Sequence, residues 1–282
     1  MIQPLKPQRS SRPLLAALVA LTGVVAVAAN ATAHDLFLRT SSFFVPERSK
    51  VILYALNGTF SKSENSISRD RLMDLSVVTP DGRSKLDTTM WSTAGDTSRL
   101  AIETGESGTY VVGVSLGKRE IALSAKEFNQ YLTEDGIPDV LAARKRNGEL
   151  GKGARERYSK HVKAILQVGD TRTTGFSRVL GYPAELVPVG NPYQPRAGGW
   201  LRVLALVDGR PAVNQLVIAG GRPRRGGRFA ERRMRTDANG IVRVRVSEPG
   251  YWYVKVIRME PVTGDPSIDY ESKWATLTFQ TR

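Results

Sequence analysis

Short apolar runs, nearly all closed within a few residues by glycine, proline, asparagine or aspartate, recur at both ends of this chain and leave room for little besides strands. In the amino-terminal part they fall at 43–45, at 51–56 before Asn57-Gly58, at 75–79 before Pro80-Asp81-Gly82, at 100–102 and at 108–114. In the carboxy-terminal part they fall at 200–207, 213–219, 241–246, 251–257 and 274–279, with Asp208-Gly209-Arg210-Pro211 as a turn between the first two. Strands at this spacing predict a sandwich in each part. The stretch 61–71 has no apolar period and reads as a mobile loop, and 181–199 reads as a Pro/Gly-rich joint.

Between the two parts, 122–169 has helical spacing. Ser124 and Glu127 fit a capping box with Leu123 and Phe128 as a staple, and Phe128, Tyr131 and Leu132 share a face up to Gly136. A second helix is expected from Pro138 to Arg146 before Asn147-Gly148. A third is expected over 154–168, stopped by Gly169, with Tyr158, Val162, Ile165, Leu166 and Val168 on an apolar arc that includes His161. Arg155, Lys160 and Lys163 then form its basic outer face. The expected fold is therefore mainly β: two Ig-like or transthyretin-like β-sandwich domains, 34–121 and 170–282, joined by an α-helical segment at 122–169.

Residues 1–33 read as a cleavable signal peptide. Lys6, Arg9 and Arg12 precede the apolar run 14–29, and Ala31-Thr32-Ala33 has the small-x-small pattern of a cleavage site. The run is shorter than the roughly 20 residues of a comfortable membrane span. A periplasmic protein is expected, with His34 as its new amino terminus. The absence of cysteine excludes disulfides, cysteine metal sites and thiol catalysis. A net charge of +14 favours anionic envelope partners, and nothing in the sequence marks a nucleic-acid-binding motif.

Several stretches together resemble the exported NikM-like accessory proteins associated with nickel and cobalt uptake, largely a domain-of-unknown-function family. They are AHDLFL at 33–38, KEFNQYLTEDG at 126–136, RERYSKHVKA at 155–164, ELVP at 185–188 with NPY at 191–193, RTDANG at 235–240 and YESKWATLTF at 270–279. The resemblance implies a periplasmic, mostly β protein, with some relatives acting as metal-binding partners of an inner-membrane transition-metal transporter.

His34 is the sharpest candidate ligand. Once it is the first residue, its α-amine and imidazole Nδ1 can chelate one ion from a single residue, and imidazole suits nickel, cobalt, copper and zinc. His161 could add a third nitrogen and Asp35 or water a further ligand; the other reading of His161 is a core histidine bonded to its surroundings. The segment 221–235 carries seven arginines against one glutamate. Arg224, Arg225, Arg232 and Arg233 there could bind anionic envelope polymers, guanidinium being suited to phosphate and carboxylate, or could simply be a solvated hairpin. No GxSxG, Walker or HExxH motif is present. The reading is a non-enzymatic binding or accessory protein for a divalent transition metal, with a structural envelope module as the alternative. An enzyme with a copper monooxygenase-like site would need His34 and His161 around one metal.

Overall fold

A computed structural model of the chain describes Met1, residues 34–194 and residues 198–282, so the signal peptide expected over 1–33 lies, but for Met1, outside the described residues. The strands of the amino-terminal part are β1 (Asp35–Arg39), β2 (Phe44–Val45), β3 (Lys50–Gly58), β4 (Leu72–Thr79), β5 (Gly82–Lys85), β6 (Trp91–Ala94), β7 (Thr97–Glu103) and β8 (Gly108–Leu123). Helices α1 (Ala125–Glu134) and α2 (Pro138–Arg146) follow, and then β9 (Ala154–Val168). The remaining strands are β10 (Ala184–Pro188), β11 (Trp200–Val207), β12 (Arg210–Pro211), β13 (Leu216–Pro223), β14 (Phe229–Arg235), β15 (Ile241–Arg245), β16 (Gly250–Pro261) and β17 (Tyr270–Thr281).

The described strands pair into three sheets. The longest has the order β14-β13-β16-β17-β9-β8-β4-β5, with β2 added on β9; β1-β3-β7-β6 form a second; β10, β12 and β15 pair with β11 in a third. Side-chain alternation shows how they stack. In β9, Val162, Ala164, Leu166 and Val168 point into one core with Leu36, Leu38, Leu53 and Leu100 of the second sheet. Ile165 points the other way, into a core with Leu186, Val203 and Val244 of the third sheet. β8 does the same with Val112 and Val114 on one side and Val111 on the other. The long sheet is thus covered on both faces, and strands from both parts of the chain build it.

That double cover explains the main departure from expectation: residues 154–168 are the strand β9, and the third helix expected there does not exist. β9 pairs antiparallel with β8 and parallel with β17, where Lys160 stands opposite Trp274 and Ala164 opposite Thr278. A strand buried on both faces loses the apolar-polar alternation that identifies a strand. Its apolar residues then mimic a helical stripe. Lys160 and Lys163, expected on a basic outer face, are both buried. Gly169 closes the strand in a left-handed conformation, its φ being 55°.

The other two helices form as expected. Ser124 and Glu127 make the reciprocal capping box, and α1 buries Phe128, Tyr131 and Leu132. Pro138 opens α2, whose Arg144 turns back over the Phe128 ring with its guanidinium carbon 4.8 Å from the centroid. The 61–71 stretch is anchored, contrary to the sequence reading. Ile67 is buried, its N–H donates to Ser98 Oγ at 2.7 Å, and its carbonyl accepts from Trp91 Nε1 at 2.9 Å. A single apolar residue gives no period, which is why this anchor is silent in the sequence. The joint at 181–199 likewise contains a strand, β10, buried at every position. Close packing continues into the linker before β10: a methyl on Gly113 would overlap Leu180 and the Tyr182 hydroxyl.

Candidate functional site

The face of β9 that supplies Val162, Ala164 and Leu166 to the core continues, two residues at a time, as Lys160, Tyr158 and Glu156. β8 places Arg119 opposite Tyr158 and Ile121 opposite Glu156, while β17 places Ser272 opposite Tyr158. Glu156, Tyr158, Lys160, Arg119 and Ile121, with Trp274 of β17, line a cleft of about 480 Å³ together with His34, Asn57, Asn65, Ser68 and Arg71. The floor turns polar where the second sheet runs out, β1 beginning at Asp35 and β3 ending at Gly58.

Lys160 is buried, and its ammonium donates to the His34 carbonyl and, at 3.1 Å, to Asn57 Oδ1. It also lies over the Trp274 and Tyr158 rings, 5.3 and 5.4 Å from their centroids. Burial, opposed by Asp35, brings its pKa down to about 8. Glu156 is buried as well and its pKa is raised by that burial, against hydrogen bonds donated by Ser272 and by Tyr131, the latter at 3.0 Å. Trp274 is fixed by a stack on Tyr131 and by donation from Nε1 to Ser272 Oγ at 2.8 Å.

His34 divides this cleft from a second one of about 310 Å³, lined also by Asp35, Phe60, Asp135 and Tyr253. Its Nδ1 faces Glu64 Oε2 at 3.2 Å; burial lowers its pKa and Glu64 opposes the shift. Asp35 pairs with Lys255, Oδ2 to Nζ 2.5 Å, and Asp135 approaches the same ammonium at 3.5 Å. Asp135 is pushed up to about 7, by burial first and then by repulsion from Asp35, against the pull of Lys255. Asp35 Oδ1 is buried with no hydrogen-bond partner.

The structure does not bring His161 to His34. His161 follows Lys160 on β9 and points to the opposite face of the long sheet, where its ring nitrogens lie 2.9 Å from Ser115 Oγ and 3.0 Å from Ser159 Oγ, beside Tyr182. It is a core histidine, and burial brings its pKa down to about 4. The unfolded chain takes up a proton near 6.5 and the folded chain only near 4, so the stability His161 confers is complete above 6.5 and is lost as pH falls through that window. The expected loss is about 3 kcal/mol. Denaturant unfolding of His161→Gln between pH 7 and 4.5 should show a flatter profile than the parent; identical slopes would contradict this.

Arg224, Arg225, Arg232 and Arg233 all lie exposed on the β13–β14 hairpin, whose β14 is an outer edge of the long sheet. Arg233 donates to the Glu134 carbonyl at 3.3 Å, and Arg235 grips Asp139 through two bonds of 2.8 and 2.9 Å. A row of arginines on an edge strand hinders pairing with another chain.

Among the described residues no group of three or more His, Cys, Asp or Glu side chains is arranged to hold a metal. The residues nearest that chemistry are His34 and Glu64, an imidazole nitrogen and a carboxylate oxygen facing each other. Sequence reading missed Glu64, which sits in the stretch taken as a loop, and the cleft floor of Glu156, Tyr158, Lys160 and Trp274. The available signal was the period of two running backward from Val162.

A family model described as Domain of unknown function (DUF4198) matches residues 31–260. Comparison with curated proteins gives no match. Among solved structures, trypsin-activated alpha-2-macroglobulin from Escherichia coli aligns at 12% identity and TM-score 0.26, over 88% of this chain and 16% of that one. A DUF4785 family protein from Legionella pneumophila aligns at 9% identity and TM-score 0.25, over 77% of this chain and 50% of that one. The chain therefore spans half or less of the length of these structures, and likenesses of this size carry no functional argument. No helix among the described residues is long and apolar enough to cross a membrane.

Proposed function

The chain belongs to the DUF4198 family, a family of unknown function, and for this member we propose an exported binding and accessory protein that holds one nickel, cobalt or copper ion at His34. The supporting observation is the approach of His34 Nδ1 to Glu64 Oε2 at 3.2 Å. Two ligands each 2.0–2.2 Å from an ion stand about 3 Å apart when at right angles, so the pair fits one ion between them. In this reading cleavage after Ala33 adds the α-amine of His34 as a third ligand on the same residue. Glu64 takes the place that the sequence suggested for His161, and Asp35 stays engaged with Lys255. The ion would lie at the mouth of an open cleft, a position suited to handing it on to an inner-membrane transporter.

Calorimetric titration with nickel, cobalt and copper tests this. Protein beginning at His34 should bind one ion per chain. Adding one residue before His34, or changing Glu64→Gln, should weaken binding at least tenfold, and His161→Ala should leave it unchanged. Equal binding by the extended and unextended proteins would refute the reading.

A further inference from the structure

The cleft beside His34 has cations left over. Arg71 is part-buried, yet its Nε has no hydrogen-bond partner; its Nη2 reaches the Gly117 carbonyl at a long 3.4 Å, and its guanidinium carbon lies 5.9 Å from the Tyr158 ring centroid, close enough for Tyr158 to stabilise its charge. Arg119 stands close enough to repel it, and Asp70 reaches Arg119 only at 3.7 Å on the exposed side. Lys160 has three N–H donors and two acceptors, the His34 carbonyl and Asn57. The nearby acids are already engaged: Glu120 with Arg157 at 2.9 Å, and Glu156 with Tyr131 and Ser272. A buried guanidinium N–H without an acceptor is costly, and two guanidinium groups facing a cleft are suited to a planar oxyanion. Trp274 and Tyr158 give the cleft an aromatic part, beside polar lining from Asn57, Asn65 and Ser68.

From this arrangement we propose that the cleft binds a small organic anion, its carboxylate or phosphate head between Arg71 and Arg119 and within reach of Lys160, its apolar body alongside Tyr158 and the edge of Trp274. The cleft volume of about 480 Å³ lies in the range of small-molecule sites, of order 300–1,000 Å³. The ligand is a small molecule and not a polymer, because Lys160 is buried and Arg71 part-buried in the cleft, with only Arg119 exposed beside them; the hairpin arginines, by contrast, are all exposed. The site does not require a metal at His34.

The test uses chelator-treated protein extended by one residue before His34, so that the proposed metal site is disabled and failure of either idea can be told apart. Benzoate and phenyl phosphate are the two probes, benzyl alcohol the uncharged control, and calorimetry with Trp274 fluorescence the readouts. Saturable 1:1 binding of at least one anion is expected, the tighter one assigning the head group, with benzyl alcohol at least tenfold weaker. Arg119→Gln, at an exposed position, should weaken binding about tenfold and the Arg71→Gln/Arg119→Gln pair further, while circular dichroism remains that of the parent. Trp274→Phe should abolish the fluorescence change. Absence of saturable binding by both anions, benzyl alcohol binding as tightly as they do, or unchanged affinity in the folded double variant would overturn the proposal.

Discussion

Changing Lys163→Met is expected to lower stability by roughly 3–5 kcal/mol, the usual cost of removing one partner from a buried ion pair. Lys163 and Glu185 form such a pair between the long sheet and β10, their side chains 3% and 1% exposed. Lys163 also donates to the Arg178 carbonyl at 3.2 Å, while Glu185 accepts backbone N–H groups from Leu180, Gly181 and Tyr182 at 2.6, 3.0 and 3.3 Å. Without the lysine, a carboxylate remains inside an apolar core with only neutral donors. The double change Lys163→Met/Glu185→Gln should recover part of the loss. Urea unfolding of both variants checks this, and a single variant as stable as the parent would contradict it.

Trp91→Ala is expected to cost about 3–5 kcal/mol, as deletion of a large buried aromatic does. Trp91 is fully buried in the core under the second sheet. It does more than fill space. Its indole N–H holds the Ile67 carbonyl, and its own carbonyl accepts from Arg69 at 2.7 Å, so it pins the stretch that carries Asn65, Ser68 and Arg71 to the cleft mouth. The same variant should therefore weaken anion binding by the cleft in proportion to the loss of order at 61–71. Trp91→Phe, which keeps most of the volume and drops the hydrogen bond, should cost only about 1–2 kcal/mol. Thermal and urea unfolding with benzoate titration separate the two contributions.

What could be read from the sequence followed the reach of each signal. The run at 200–207 coincides with β11, and those at 51–56, 100–102 and 274–279 lie inside β3, β7 and β17, because alternation and turn residues act over a few neighbours. Ser124 and Glu127 announced α1 for the same reason, a capping box being complete within four residues. β9 escaped because its character depends on what covers it. Lys160, His161 and Lys163 are buried on alternate faces by partners from β17, β8 and β10, and no local pattern distinguishes such polar residues from those of a helix surface. The candidate site divides the same way. His34 was singled out from the residues before it, whereas Glu64 and Arg71 come with the anchored stretch 61–71 and the floor of Glu156, Tyr158, Lys160 and Trp274 forms only through strand pairing.

The parallel pairing of β9 with β17 fixes the order in which this molecule can finish folding. β9 can zip onto β8 across two short helices, but its other edge waits for residues about a hundred positions further along the chain. Contacts so distant in sequence form slowly. Until they form, a long apolar strand offers open backbone groups to any other extended chain. During synthesis, amino end first, the half-built sheet is therefore an aggregation hazard that only the arrival of the last strand removes.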